Sequence, residues 1–97
     1  MIADITVVPI GTGSPSVGIY VMAAFKVLKQ SGLKFRVGPM STSVEGDWES
    51  VMTTIRNMQE VCFHMGALRV LTTIRIDERR DRVQTMAGKV ERLTGES

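Results

Sequence analysis

The order of patterned segments constrains this chain more than any other feature. Ile2 to Ile10, IADITVVPI, is rich in β-branched residues and reads as a strand. VGIYVMAAFKVLKQSG follows with helical spacing of its apolar residues. LKFRVGPMSTSVEG then reads as two short strands around Gly38-Pro39, the second running from Ser41 to Glu45. A second helix carries Trp48 to Met65, and LRVLTTIRID is a fourth strand. A last helix is expected from about Val83 to Leu93. This order, β-α-β-β-α-β with an additional C-terminal helix, predicts an α+β, ferredoxin-like fold. Its antiparallel sheet is expected in the order 4-1-3-2, with helices covering one face. At 97 residues, the chain is expected to form a single domain over 1–97.

Local punctuation supports these boundaries. Ser14 suits an N-cap, with Pro15 at the first helical position. Gly32 suits a C-cap, Asp47 a second N-cap, and Gly66 a second stop. The expected inner stripe of the first helix is Val17, Val21, Ala24 and Leu28. That of the second is Trp48, Met52, Ile55, Met58 or Gln59, Cys62 and Met65. That of the last is Val83, Met86 or Ala87, Val90 and Leu93. In the fourth strand Val70, Thr72, Ile74 and Ile76 share one face, and Arg69, Leu71, Thr73, Arg75 and Asp77 the other. With Thr6 and Thr73 among its residues, the face away from the helices must meet water, ligand or a second subunit.

Charge and residue inventory exclude several functions. Twelve Lys and Arg against ten Asp and Glu leave +2, so no nucleic-acid partner is expected. The first and third strands also lack aromatics for stacking bases. A lone Cys62 forms no intrachain disulfide and points to a reducing cytoplasm. No apolar run approaches the roughly 20 residues of a membrane span, and Asp4 without a basic flank argues against a signal peptide. Cys62 and His64 lie on different helix faces, so neither a metal site nor a thiol nucleophile is expected. No Ser-His-Asp set is available, and no catalytic residue or cofactor is assigned.

GTGSPS, Gly11 to Ser16, remains the loop of interest. It is not followed by Gly-Lys-Ser/Thr and has Ser16 where a dinucleotide loop needs its third glycine. It is either a turn with a cap, or a helix N-terminus that meets the polar edge of a ligand. The strand order places Pro9–Thr12 beside Ser41 and Thr42, with Tyr20 one turn into the helix. Hydroxyls of Thr12, Ser14, Ser16, Tyr20, Ser41 and Thr42 are therefore expected to converge. Gly11 and Met40 complete the candidate ligand-binding set. Asp4, Glu45, Asp77, Arg79, Arg80 and Asp81 are expected to gather at the opposite end, leaving no acid near the hydroxyls. DERRDR reads as a solvated corner or subunit contact, or as an anion site using Arg79, Arg80 or Arg82.

PIGTGSPSVGIYV, GPMSTSVEGDWESVM and RVLTTIRIDERRDRVQTMAGKVERL together resemble the small thiamine-binding-protein-like family of archaea and bacteria. The likeness covers nearly the whole chain. Ser41 departs from it, standing where a glycine is common, as does Ala87, where an acid is frequent. The resemblance implies a ferredoxin-like subunit assembled as a homodimer or homotetramer. It also implies binding of thiamine or its hydroxymethylpyrimidine part without catalysis, as carrier, reservoir or sensor. Hydroxyls of Thr12, Ser16 and Thr42 suit an aminopyrimidine edge, and Tyr20 or Met40 suits its ring face. With no acid expected for the thiazolium, the pyrimidine is better matched than the whole vitamin. The alternative is a structural or regulatory homo-oligomeric interaction protein whose loop only shapes a subunit contact.

Overall fold

A computed structural model describes residues 1–95. Its elements run β1 (Ile2–Ile10), α1 (Gly18–Gln30), β2 (Lys34–Val37), β3 (Thr42–Glu45), α2 (Trp48–His64), β4 (Arg69–Asp77) and α3 (Met86–Thr94). The sheet order is β2-β3-β1-β4, and every neighbouring pair is antiparallel. This is the expected ferredoxin-like arrangement with a C-terminal helix.

Alternation along β1 divides the two layers. Ala3, Ile5 and Val7 are buried beneath α1 and α2. They pack with Val44, Ala24, Leu28, Val51, Ile55, Met58 and Cys62 in one apolar core. Phe25 of α1 meets Phe35 of β2 edge to face, with ring centroids 5.5 Å apart. Thr54 is buried too, and its hydroxyl donates to the Ser50 carbonyl at 2.8 Å. That bond removes the penalty of an unpaired buried hydroxyl.

Several local expectations are corrected. α1 begins at Gly18 with Val17 as its N-cap, not at Ser14-Pro15. Ser14 is occupied in the loop, where its Oγ accepts from the Ser16 N–H at 3.1 Å. Val17 is partly buried and Val21 exposed, so only Ala24 and Leu28 of the expected stripe reach the core. Asp47 caps α2 as expected, accepting from the Ser50 N–H at 3.2 Å. The α2 stripe holds from Ile55 through Met58 to Cys62; Val51 and Thr54 are buried with it, Met52 is only half-buried, and Trp48 and Met65 at its two ends are exposed. β3 starts at Thr42 rather than Ser41, because a turn ends there with the Gly38 N–H donating to the Ser41 carbonyl at 2.8 Å. A Cβ on Gly38 would lie 2.9 Å from that oxygen, so this turn needs glycine.

α3 starts at Met86, three residues later than Val83. Thr85 is its N-cap and accepts from the Gly88 N–H at 3.0 Å. Glu45 accepts from the Met86 N–H at 2.6 Å. Glu45 and Ile2 lie opposite one another on the sheet, so α3 covers one end of the face away from α1 and α2. Met86 is buried there, whereas Val83, Val90 and Leu93 are exposed. The helices therefore do not all cover one face.

Candidate functional site

The geometry of the candidate site follows from unequal strand lengths. β1 has nine residues and β3 only four. β3 pairs with β1 from Ile2↔Glu45 to Ile5↔Thr42 and goes no further. β4 accompanies β1 along its whole length, to Ile10↔Arg69. Thr6 to Ile10 therefore have a strand neighbour on one side only. Pro9, which has no N–H to donate, falls within this half-paired stretch.

A cleft of about 240 Å³ opens at that edge. β1 forms its floor from Ile5 to Val8, α1 contributes Val21, Ala24 and Phe25, and the hairpin loop adds Met40, Ser41 and Thr42. The walls are mainly apolar, with hydroxyls at one side, the usual composition of a small-molecule site. Thr42 pairs with Ile5, so its side chain lies on the helix-covered side of the sheet. Its hydroxyl has no hydrogen-bond partner among the described residues.

Ser41 faces the other way. Its Oγ donates to Asp4 Oδ1 at 2.6 Å, while Arg75 Nη2 donates to Asp4 Oδ2 at 3.0 Å. The Ser41 hydroxyl foremost, with Arg75 and Ser43 adding, holds the Asp4 carboxyl below its ordinary range; partial burial opposes this. The expectation of no acid near the hydroxyls is thus corrected. Asp4 belongs with the hairpin loop rather than with the charged corner. Nothing in the spacing of Asp4 and Ser41 signals this contact; it needs the β1–β3 register.

The hydroxyls do not all converge. Thr12, Ser14, Ser16 and Tyr20 line a separate concavity of about 320 Å³ at the start of α1. Thr42 lies opposite Ile5, and Ile10 is five residues further along β1. At about 3.3 Å per residue, the loop that begins at Gly11 lies roughly 20 Å beyond that pairing. Within the loop, Thr12 Oγ1 donates to the Ser14 carbonyl at 3.2 Å. Gly11 and Gly13 adopt positive φ values of 76° and 83°. The sequence-based set therefore divides into Met40, Ser41 and Thr42 at the cleft and Gly11, Thr12, Ser14, Ser16 and Tyr20 around the loop.

Cys62 is fully buried on α2, and burial pushes its thiol pKa up, opposite to the shift a nucleophile needs. Its Sγ lies 3.9 Å from the Tyr20 carbonyl. Among the described residues no group of three His, Cys, Asp or Glu side chains is placed to hold a metal ion. No helix among them is long and apolar enough to cross a membrane.

Residues 3–94 match the family model described as thiamine-binding protein. The UPF0045 protein YqgV of Bacillus subtilis is 40% identical over 94 residues, covering 93% of this chain and 90% of its own. A hypothetical protein of Methanocaldococcus jannaschii superposes with a TM-score of 0.87 at 28% identity, covering 95% of this chain and 93% of that one. A Thermotoga maritima protein, provisionally named for thiamine biosynthesis or salvage, superposes with a TM-score of 0.79 at 26% identity. The coverage in that case is 95% of this chain and 96% of the other.

Proposed function

This chain belongs to the thiamine-binding protein family, and from that premise we propose that it is a non-catalytic small-molecule-binding protein for thiamine or its hydroxymethylpyrimidine moiety. It acts as a carrier, reservoir or sensor, as a single ferredoxin-like domain in the cytoplasm. The observation that carries this reading is the apolar cleft beside the half-paired stretch of β1, with the Thr42 hydroxyl unpartnered at its side. Met40 and Phe25 supply surface for a ring face, and Thr42 donates to or accepts from a pyrimidine edge. The Asp4–Ser41 bond positions the loop that forms the outer wall. A volume of about 240 Å³ is below the roughly 300–1,000 Å³ of common ligand pockets and suits one ring better than two. Asp4 is already engaged by Ser41 and Arg75, so it is not free to pair with a thiazolium. The pyrimidine is therefore the recognised part.

Isothermal calorimetry with thiamine and with hydroxymethylpyrimidine tests this. Saturable binding is expected for the pyrimidine, weakened about tenfold by Thr42→Val, the scale of one lost ligand hydrogen bond. Thr12→Val is the companion variant; a loss confined to it would move the site to the GTGSPS loop. No heat with either ligand at millimolar concentration refutes the reading.

A second reading is a structural or regulatory interaction protein assembled as a homodimer or homotetramer. The observation favouring it is the open sheet face, where Val8 and Leu71 lie opposite each other, 39% and 54% exposed. Under that reading Leu71→Lys changes the mass seen by light scattering, and neither ligand binds.

A further inference from the structure

We propose that the groove between the β4–α3 connection and α3 binds a phosphate-bearing small molecule through the guanidinium groups of Arg82 and Arg92. This site is separate from the cleft beside β1 and does not depend on what that cleft holds. The groove has a volume of about 730 Å³, ample for a phosphorylated metabolite.

Two of the three carboxylates that line the groove are already neutralised. Asp77 accepts from Lys89 Nζ and from Gln84 Nε2, the latter at 3.0 Å. Asp81 accepts both from Arg79 Nε, at 2.6 Å, and from Arg79 Nη2. Those two carboxylates are engaged within the groove wall. Arg82 and Arg92 also line the groove and have no carboxylate partner among the described residues. Their mutual proximity is unfavourable. Arg79 foremost, then Arg92, destabilises the charged form of Arg82 and pushes its pKa down. An anion between Arg82 and Arg92 relieves that repulsion, and each planar guanidinium can donate two parallel hydrogen bonds to phosphate oxygens.

The net charge selects the ligand class. Arg79, Arg82, Lys89 and Arg92 face Asp77, Asp81 and Glu91, so the lining groups sum to +1. Such a small excess lacks the broad positive field that a nucleic acid requires. It suits a discrete phosphomonoester or diphosphate, with Glu91 disfavouring a larger polyanion.

Calorimetric titration with inorganic phosphate and with pyrophosphate tests the site, on the full chain. Saturable binding is expected, weakening as salt is added. Arg82→Gln with Arg92→Gln is expected to reduce affinity about tenfold or more. Lys26→Gln with Lys29→Gln, the same charge change on α1, is expected to leave it unchanged. Absence of saturable binding by the native protein overturns the proposal, as does equal weakening by both variant pairs. If the arginine variants change oligomer mass while phosphate has no effect, the corner is a subunit contact, and the proposal fails. Pyrimidine binding by the same arginine variants is expected at native affinity, so failure here is distinguishable from failure at the cleft.

Discussion

The hydrogen bond between Ser41 and Asp4 spans 37 positions of sequence and ties the hairpin loop to β1. Its removal is a direct test of how the cleft wall is held. The bond is 2.6 Å long and its acceptor is ionised. A hydrogen bond to a charged group contributes about 1.5–3 kcal/mol. The Asp4 side chain is 24% exposed and keeps Arg75 as a second partner, so solvent screening lowers the expected figure. A double-mutant cycle of Ser41→Ala and Asp4→Asn should give a coupling of about 1 kcal/mol at neutral pH. With a urea slope of about 1.5 kcal/mol/M, that corresponds to a midpoint difference of roughly 0.7 M, readable by circular dichroism. The pH dependence has a definite sign. The folded-state carboxyl of Asp4 is held low, so its contribution is complete above the ordinary carboxylate range. It is lost as the pH falls through the depressed folded-state value. The coupling should therefore vanish in strong acid, and Ser41→Ala should move the onset of that loss to higher pH. No coupling at neutral pH, or a coupling that persists once Asp4 is protonated, would refute the assignment.

Other consequences can be checked independently. Leu28→Ala, at a side chain only 1% exposed in the core, should cost about 2–5 kcal/mol in chemical denaturation; a loss under about 1 kcal/mol would contradict its central packing. Cys62 should resist alkylation in the native protein and react only as the chain unfolds, since it is buried and its thiol pKa is raised; labelling at a native, urea-independent rate would contradict this. Gly13→Ala should lower stability by about 1 kcal/mol, because Gly13 holds a φ of 83° that a side chain tolerates poorly, although no atom crowds the position.

Helix ends were legible where a side chain has one available role. Asp47 caps α2 because its carboxylate is free to accept from Ser50. Ser14 has an equal capping propensity, yet it serves a loop hydrogen bond to Ser16, and the helix waits until Gly18. The signal for α3 was Thr85, with Gly88 three residues on, and the apolar Val83 obscured it. Val83 is 91% exposed, so its apolar character marks no inner face.

By itself, the sequence determined the order of elements, the strand order and part of each buried stripe: Ala24 and Leu28 in α1, Ile55 to Cys62 in α2 and Met86 in α3. These follow from periodicity: alternation in Ala3, Ile5 and Val7, and helical spacing in Ile55, Met58 and Cys62, each expose one face that must be covered. It also named Met40, Ser41 and Thr42 as candidates, but placed them in one set with the Gly11–Ser16 loop and Tyr20. Only the tertiary structure decided which hydroxyls meet. Register is a relation between strands, and stopping β3 at the level of Ile5 separates Thr42 from Thr12 while bringing Asp4 to Ser41. A fold name supplies the neighbours of a strand; the lengths and offsets of those neighbours decide where a cleft opens.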